Sequence, residues 1–154
     1  MNFVRNIFNS RSNKGGNFFI QIKHILGFKP LNMKFYNKAF THRSMNIRDK
    51  EGTPINYERL EFVGDAMLGA VIASHLFNEV PQGDEGYLTK MRSKIVSRDH
   101  LNELGKELNL IDLVQSKIAK DNFGNNIHGN LFEALIGAIY LDRGYTYCKK
   151  FIYK

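Results

Sequence analysis

Apolar residues recur along this chain at helical spacing, and no stretch alternates convincingly at the period of two that a half-buried strand shows. The pattern predicts an all-α protein. "FFIQIKHILGF" (residues 18–28) reads as a helix closed by Gly27, and Pro30 forces a break. "MKFYNKAFTH" (33–42) continues as a second helix, and "RDKEGTP" (48–54) is a loop. A long helix follows from about Asn56 to Asn78. After the loop "VPQGDEG" (80–86), helices are expected over 86–97 and 99–107, with Ser97 or Asp99 able to cap the second. The polar stretch "KDNFGNNIHG" (120–129) precedes a last clear helix, "NLFEALIGAIYLDRG" (130–144), with Gly144 as its C-cap.

The long helix has two characters. At 100° per residue, Glu58, Glu61 and Asp65 fall within about 60° of one another. Leu60, Val63, Met67 and Val71 are expected on the opposite, core-facing side. Gly64 and Gly69 each cost about 1 kcal/mol against Ala in a helix, which close helix approach would explain, as would mere tolerance of glycine. A second acidic position, Glu133, sits inside the apolar run "LFEALIGAIYL", with Asn130 one turn earlier on the same face. A lone Glu in such a helix needs a partner if it is buried. Glu85, in the "GDEG" loop, is a third candidate. Two readings stay open on pattern alone. The stripe is a solvated face paired with Lys90, Arg92 or Lys94, or its carboxylates hold a hard divalent cation such as Mg²⁺.

Composition narrows the classes. The 154 residues suit one domain with its own core. Cys148 is the single cysteine, which excludes an internal disulfide and fits a reducing, cytoplasmic compartment; it is expected to be a buried apolar residue. No apolar run is expected to span a bilayer, and "MNFVRNIFNS" lacks a secretory apolar core. The formal net charge of +7 is uneven: residues 1–48 carry nine Lys and Arg and no acid. A basic region beside an acidic one suits a polyanion held near metal-binding carboxylates. The Gly/Ser-rich stretch 9–17 marks residues 1–16 as a loosely ordered basic leader before one domain, 17–154.

Four ordered motifs carry a resemblance. "ERLEFVGDAML" (58–68) resembles the signature of the ribonuclease III endonuclease domain, and "KAFTHRS" (38–44) resembles that family's THRS element. "DEGYLTKMRSKIVS" (84–97) and "GNLFEALIGAIYLDRG" (129–144) are similar to its remaining segments in order and spacing. The resemblance implies an α-helical homodimer that cleaves double-stranded RNA with Mg²⁺, or Mn²⁺ in its place. Each subunit would supply one active centre, leaving 5′-phosphate and 3′-hydroxyl ends with short 3′ overhangs, as in ribosomal RNA maturation. By position, Glu61, Asp65, Asn130 and Glu133 correspond to the metal ligands, with Asp65 and Glu133 catalytic. Glu58 and Glu85 correspond to further acids near the RNA. Phe62 is expected to plug into the partner subunit, and His42 to order a loop. Lys120, Arg92 and Arg98 are candidate phosphate contacts. Neither a membrane nor a small-molecule cofactor is implied.

Two positions depart from the pattern. Asn130 stands where the family normally has Asp, which removes a charge but keeps an oxygen donor. This favours weakened or Mn²⁺-preferring activity, or a duplex-RNA-binding relative that no longer cuts. The chain also stops at "CKKFIYK", before the double-stranded-RNA-binding domain that usually follows, so truncation is expected.

Overall fold

The computed structural model describes residues 3–154, with side-chain surroundings from Gly15 onward. Seven α-helices follow in order: α1 (Phe3–Leu26), α2 (Met33–Ala39), α3 (Glu58–Glu79), α4 (Glu85–Ile95), α5 (Arg98–Glu107), α6 (Ile127–Arg143) and α7 (Tyr145–Ile152). Short 3-10 turns lie between them. Among the described residues no strand forms. Two isolated bridges occur, Thr41 with Gln115 and Arg48 with Pro54. The all-α expectation holds.

Local chemistry sets the boundaries. The Asp84 carboxylate accepts from the Tyr87 N–H at 2.8 Å and starts α4. The Ser97 hydroxyl accepts from the His100 N–H and starts α5, which selects Ser97 over Asp99 as the cap. Gly27 and Gly144 both take positive φ, 75° and 81°, and end α1 and α6. Helix α1 begins at Phe3, well before the Phe18 start the apolar pattern suggests. The expected loose leader, residues 1–16, lies mostly outside the residues whose side chains are described.

Helix α6 is the centre of the core. Leu131, Ala134, Leu135, Ile136, Ala138 and Ile139 are completely buried. Helix α3 crosses it so closely that glycine is required on both sides. A Cβ on Gly64 would stand 1.7 Å from the Glu133 carbonyl oxygen, and one on Gly137 would stand 2.1 Å from that of Leu60. Gly105 of α5 meets the His128 carbonyl in the same way, at 2.2 Å. At Gly69, by contrast, a Cβ would meet nothing within 4 Å. Gly69 therefore makes no close approach within this chain.

The crossing also corrects the expected core stripe of α3. Its buried residues are Leu60, Gly64, Leu68, Val71, Ile72 and Leu76, while Val63 and Met67 are only half-buried. The stripe is rotated toward the acids because the contact with α6 is centred on Gly64. A second correction concerns hydrophobicity. Helix α3 is, by length and composition, apolar enough to cross a membrane. The cause is visible on the helix itself. It buries one face on α6 and turns outward another that carries Phe62, Ala66, Ala70 and Phe77, all exposed.

Gly64→Ala is expected to destabilise the domain by roughly 1–3 kcal/mol, because a backbone carbonyl cannot move aside as a side chain can. Urea denaturation of the two proteins checks this. An unchanged midpoint would contradict the close crossing.

Candidate active site

The helix crossing assembles the acids. Glu58, Glu61 and Asp65 lie on the first two turns of α3, and Asn130 and Glu133 on the first two turns of α6. All five line one cleft of about 690 Å³, together with Phe62 and with Arg98 from the first turn of α5. A smaller chamber of about 140 Å³ adjoins it. Asp65, Arg98, Asn130 and Glu133 line that chamber as well. Acids from two helices far apart in sequence therefore meet.

Their electrostatics follow from this gathering. The Glu133 carboxyl is pushed up to about 7. Burial contributes most, the Asp65 and Glu61 charges follow, and a hydrogen bond with Asp65 favours the protonated form. Glu61 is also raised, by burial and then by Glu58, with Arg98 opposing. Glu58 has a cation of its own, Arg43 at 3.6 Å, but both side chains are largely exposed and the pair is weak. Lys90, Arg92 and Lys94 make no ion pair with the stripe among the described residues.

The donors suit a hard divalent cation: three carboxylates and an amide oxygen, with the Glu133 carboxyl raised by burial and by its acidic neighbours. No three His, Cys, Asp or Glu groups among the described residues close to metal-binding distance of one point. Mg²⁺ keeps several waters and needs only one or two direct carboxylates, so the donor set still fits.

The far wall of the cleft is a loop that sequence reasoning did not single out, contributing Phe123, Gly124, Asn125 and Asn126. It is fastened by the THRS element. The His42 N–H donates to the Gln115 carbonyl at 3.0 Å, and the Gln115 N–H to that of Phe40 at 2.8 Å. His42 Nδ1 accepts from the Ser44 N–H and stands 2.8 Å from Ser44 Oγ. Ser44 Oγ in turn meets Ser116 Oγ and the Lys117 N–H, each at 3.0 Å. The imidazole packs on Phe123 and is held below the usual histidine range by burial and then by Arg43. A neutral ring with its proton on Nε2 satisfies this network. His42 orders a loop, as expected. Tyr57 also lines the cleft and was missed, although it directly precedes the quoted signature stretch.

Three expected site residues stand apart in the single chain. Glu85 and Arg92 line a separate, mainly apolar cleft of about 420 Å³ beside Leu76 and Phe77. Lys120 is paired with Asp112 at 2.6 Å on the outer loop. Cys148 is completely buried, as expected, and its thiol is pushed up to about 12.

An all-helical domain with acids from two helices gathered in one cleft at their crossing is the class the structure defines. The family model described as Ribonuclease-III-like matches residues 32–154, and the chain belongs to that family. It is 71% identical over 99% of its length to ribonuclease 3 of Zunongwangia profunda, and 68% identical over its whole length to that of Flavobacterium psychrophilum. The chain spans 63% of the length of each of these relatives. Among solved structures it resembles the nuclease domain of ribonuclease III from Campylobacter jejuni. That match has 31% identity and a TM-score of 0.74, and covers 86% of this chain and 92% of that one.

The raised Glu133 pKa has a consequence for stability. The folded protein holds this proton more strongly than the unfolded chain, whose Glu titrates near 4.5. Metal-free stability should therefore fall as pH rises from about 4.5 through about 7. Melting curves in chelator should show that decline, and Glu133→Gln should flatten it. A variant with the same pH profile as the parent would contradict the assignment.

Proposed function

We propose that this chain is the nuclease portion of a divalent-metal-dependent endoribonuclease that cuts double-stranded RNA. The observation that carries this reading is the meeting of Glu61 and Asp65 with Asn130 and Glu133 in one cleft. Family membership supports it. Residues 17–154 form the catalytic unit in this reading, behind a basic leader over 1–16. The products carry 5′-phosphate and 3′-hydroxyl ends with short 3′ overhangs, and the setting is RNA maturation, ribosomal RNA included, in the cytoplasm.

Mg²⁺ is the proposed ion, with Mn²⁺ able to replace it. When bound, a divalent ion supplies charge stabilisation for phosphodiester hydrolysis. Glu61, Asp65, Glu133 and the Asn130 amide oxygen would hold it. Occupancy would favour the ionised Glu133 carboxylate. Arg98 would meet phosphate on the cleft wall. Arg92, Glu85 and Lys120 lie outside the cleft in one chain, so they reach RNA only along a longer duplex or from the partner subunit. Duplex RNA presents phosphates, 2′-hydroxyls and shape rather than a readable major groove, so selection would be mainly geometric.

The proposed partner besides RNA is a second copy of the chain. Phe62 is 78% and Phe77 72% exposed on the outward face of α3, an apolar surface that a monomer leaves in water. Insertion of Phe62 into the partner would cover it. This use of the apolar face takes the place of a membrane.

A second reading, a duplex-RNA-binding relative without cleavage, draws on one observation, the neutral Asn130 at a ligand position. Incubation with a long RNA duplex, with and without Mg²⁺, separates the two. Metal-dependent cuts with 5′-phosphates support the enzyme; gel retardation without cutting in either metal supports the binder. Glu133→Gln is expected to lower cleavage by at least about a hundredfold, beyond the usual cost of losing a group that only orients a ligand, while duplex retardation in chelator persists. Phe62→Asp is expected to shift the chain toward monomer in size-exclusion chromatography with light scattering. An unchanged mass would remove Phe62 from the seam.

A further inference from the structure

Away from the cleft, the ends of α1, α6 and α7 come together around the turn at residues 27–31. The Lys154 Nζ donates to the Ile25 carbonyl at 3.2 Å, and the Arg143 guanidinium donates to the Lys29 carbonyl. Arg143 also lies 3.7 Å from the Tyr147 ring centre and 5.6 Å from that of Phe28. These two cations serve the fold, because positive charge is favourable at the carbonyl ends of helices. Within residues 15–32 and 134–154 the single acid is Asp142. It is taken up by the start of α2, where its carboxylate accepts from the Leu31 and Asn32 N–H groups and the Tyr36 hydroxyl.

Four further lysines of these segments have no such task. Lys23, Lys29, Lys149 and Lys150 are exposed, and none lies within 4 Å of a carboxylate among the described residues. Two of them stand over rings: Lys149 Nζ is 5.5 Å from the Tyr153 ring centre, and Lys150 Nζ is 5.8 Å from that of Tyr147. Tyr145 and Tyr153, at the two ends of α7, are 40% and 46% exposed. Lysines interleaved with open rings supply charges that follow a phosphate backbone and flat faces on which unpaired bases stack. A duplex hides its base faces and can use only the charges. The surface also stays open when a second copy covers Phe62 and Phe77. Tyr153 packs on His75 at 5.0 Å between ring centres, and His75 lies about 160° round α3 from Phe77.

We propose that this surface binds single-stranded RNA flanking the duplex on which the cleft acts. The proposal rests on the RNA-cleaving reading above. Glu133 and Arg143 lie ten residues apart on α6, about 15 Å along its axis. A strand leaving the cleft therefore needs only a few nucleotides to arrive. The leader adds Arg5, Arg11 and Lys14 to the same end of the chain and brings no acid. Recognition by stacking and backbone charge tolerates any sequence, so the surface selects an unpaired flank and not a base order.

The test measures binding of the whole chain, in chelator, to a fluorescent blunt RNA duplex and to the same duplex with a single-stranded 3′ extension of about 12 nucleotides. The native chain should hold the extended RNA at least about tenfold more tightly. Lys23→Gln, Lys149→Gln and Lys150→Gln together should erase that preference and lower the salt slope on extended RNA by about two. Binding and Mg²⁺-dependent cutting of the blunt duplex should stay unchanged. Tyr145→Leu leaves every charge in place; it should weaken binding of extended RNA about fivefold and keep the salt slope. That variant decides alone if the triple variant does not melt like the parent. Equal affinity of the native chain for the two RNAs, or a preference that survives these substitutions, would overturn the proposal. Equal losses on blunt and extended RNA would do the same, reducing the surface to a plain duplex contact. So would binding to phosphatidylglycerol vesicles that the lysine variant loses, with no preference for the extension, which would make the surface a membrane contact. A blunt duplex cut normally, with no gain from the extension, removes this proposal alone. A duplex left uncut in both Mg²⁺ and Mn²⁺ removes the nuclease reading, and the binding comparison still decides the surface.

Discussion

The close crossing of α3 and α6 is the constraint on which the rest of the molecule depends. Two glycines, Gly64 and Gly137, let each helix press its backbone against the other. The Gly64 contact falls on the carbonyl of Glu133 itself. Backbone proximity at that point makes side-chain proximity nearly unavoidable. Residues one turn before and just after it, Glu61 and Asp65, must share space with Glu133. A larger residue at the crossing would separate the helices and disperse the acids without altering one of them. The core and the site are one piece of geometry, and the buried residues of α6 hold the acids against their own repulsion.

Burial and that repulsion together leave a trace. Burial contributes most, the Asp65 and Glu61 charges follow, and the Glu133 carboxyl is pushed up to about 7. The same low-dielectric setting that penalises unbalanced carboxylates strengthens their attraction for a positive charge. A proton and an arginine both answer that potential, as a bound divalent ion would. The Asn130 amide brings an oxygen donor without a charge, so it adds nothing to the repulsion.

How legible this was in the sequence varies by feature. The helices were readable because apolar spacing and caps such as Ser97 and Gly144 are local signals. The pairing of Glu61 and Asp65 with Glu133 came through motif resemblance; periodicity by itself left a solvated stripe open. The face of α3 was misjudged for a physical reason. Gly64 carries no hydrophobic signal, yet it is the contact point and draws the buried stripe toward the acids. The 115–126 loop was invisible as a wall of the site. It is held there by Ser44, Ser116 and His42 across a long sequence separation, and small polar residues announce no such pairing.

Helix α3 shows why hydrophobicity alone is a poor guide to environment. Its composition satisfies the criteria of a bilayer span because two different apolar faces are added together. One face is satisfied by α6 inside the chain. The other, around Phe62 and Phe77, remains open, and the acids occupy the sector between them at the N-terminal end. Phe62 lines the acidic cleft while pointing out of the domain, so whatever covers it also borders the site. Assembly and catalysis cannot then be independent. A partner seated on Phe62 would fix one edge of the cleft and limit water there, strengthening each charge interaction inside. Phe62, next to Glu61, thus borders both the outer face of α3 and the acidic cleft.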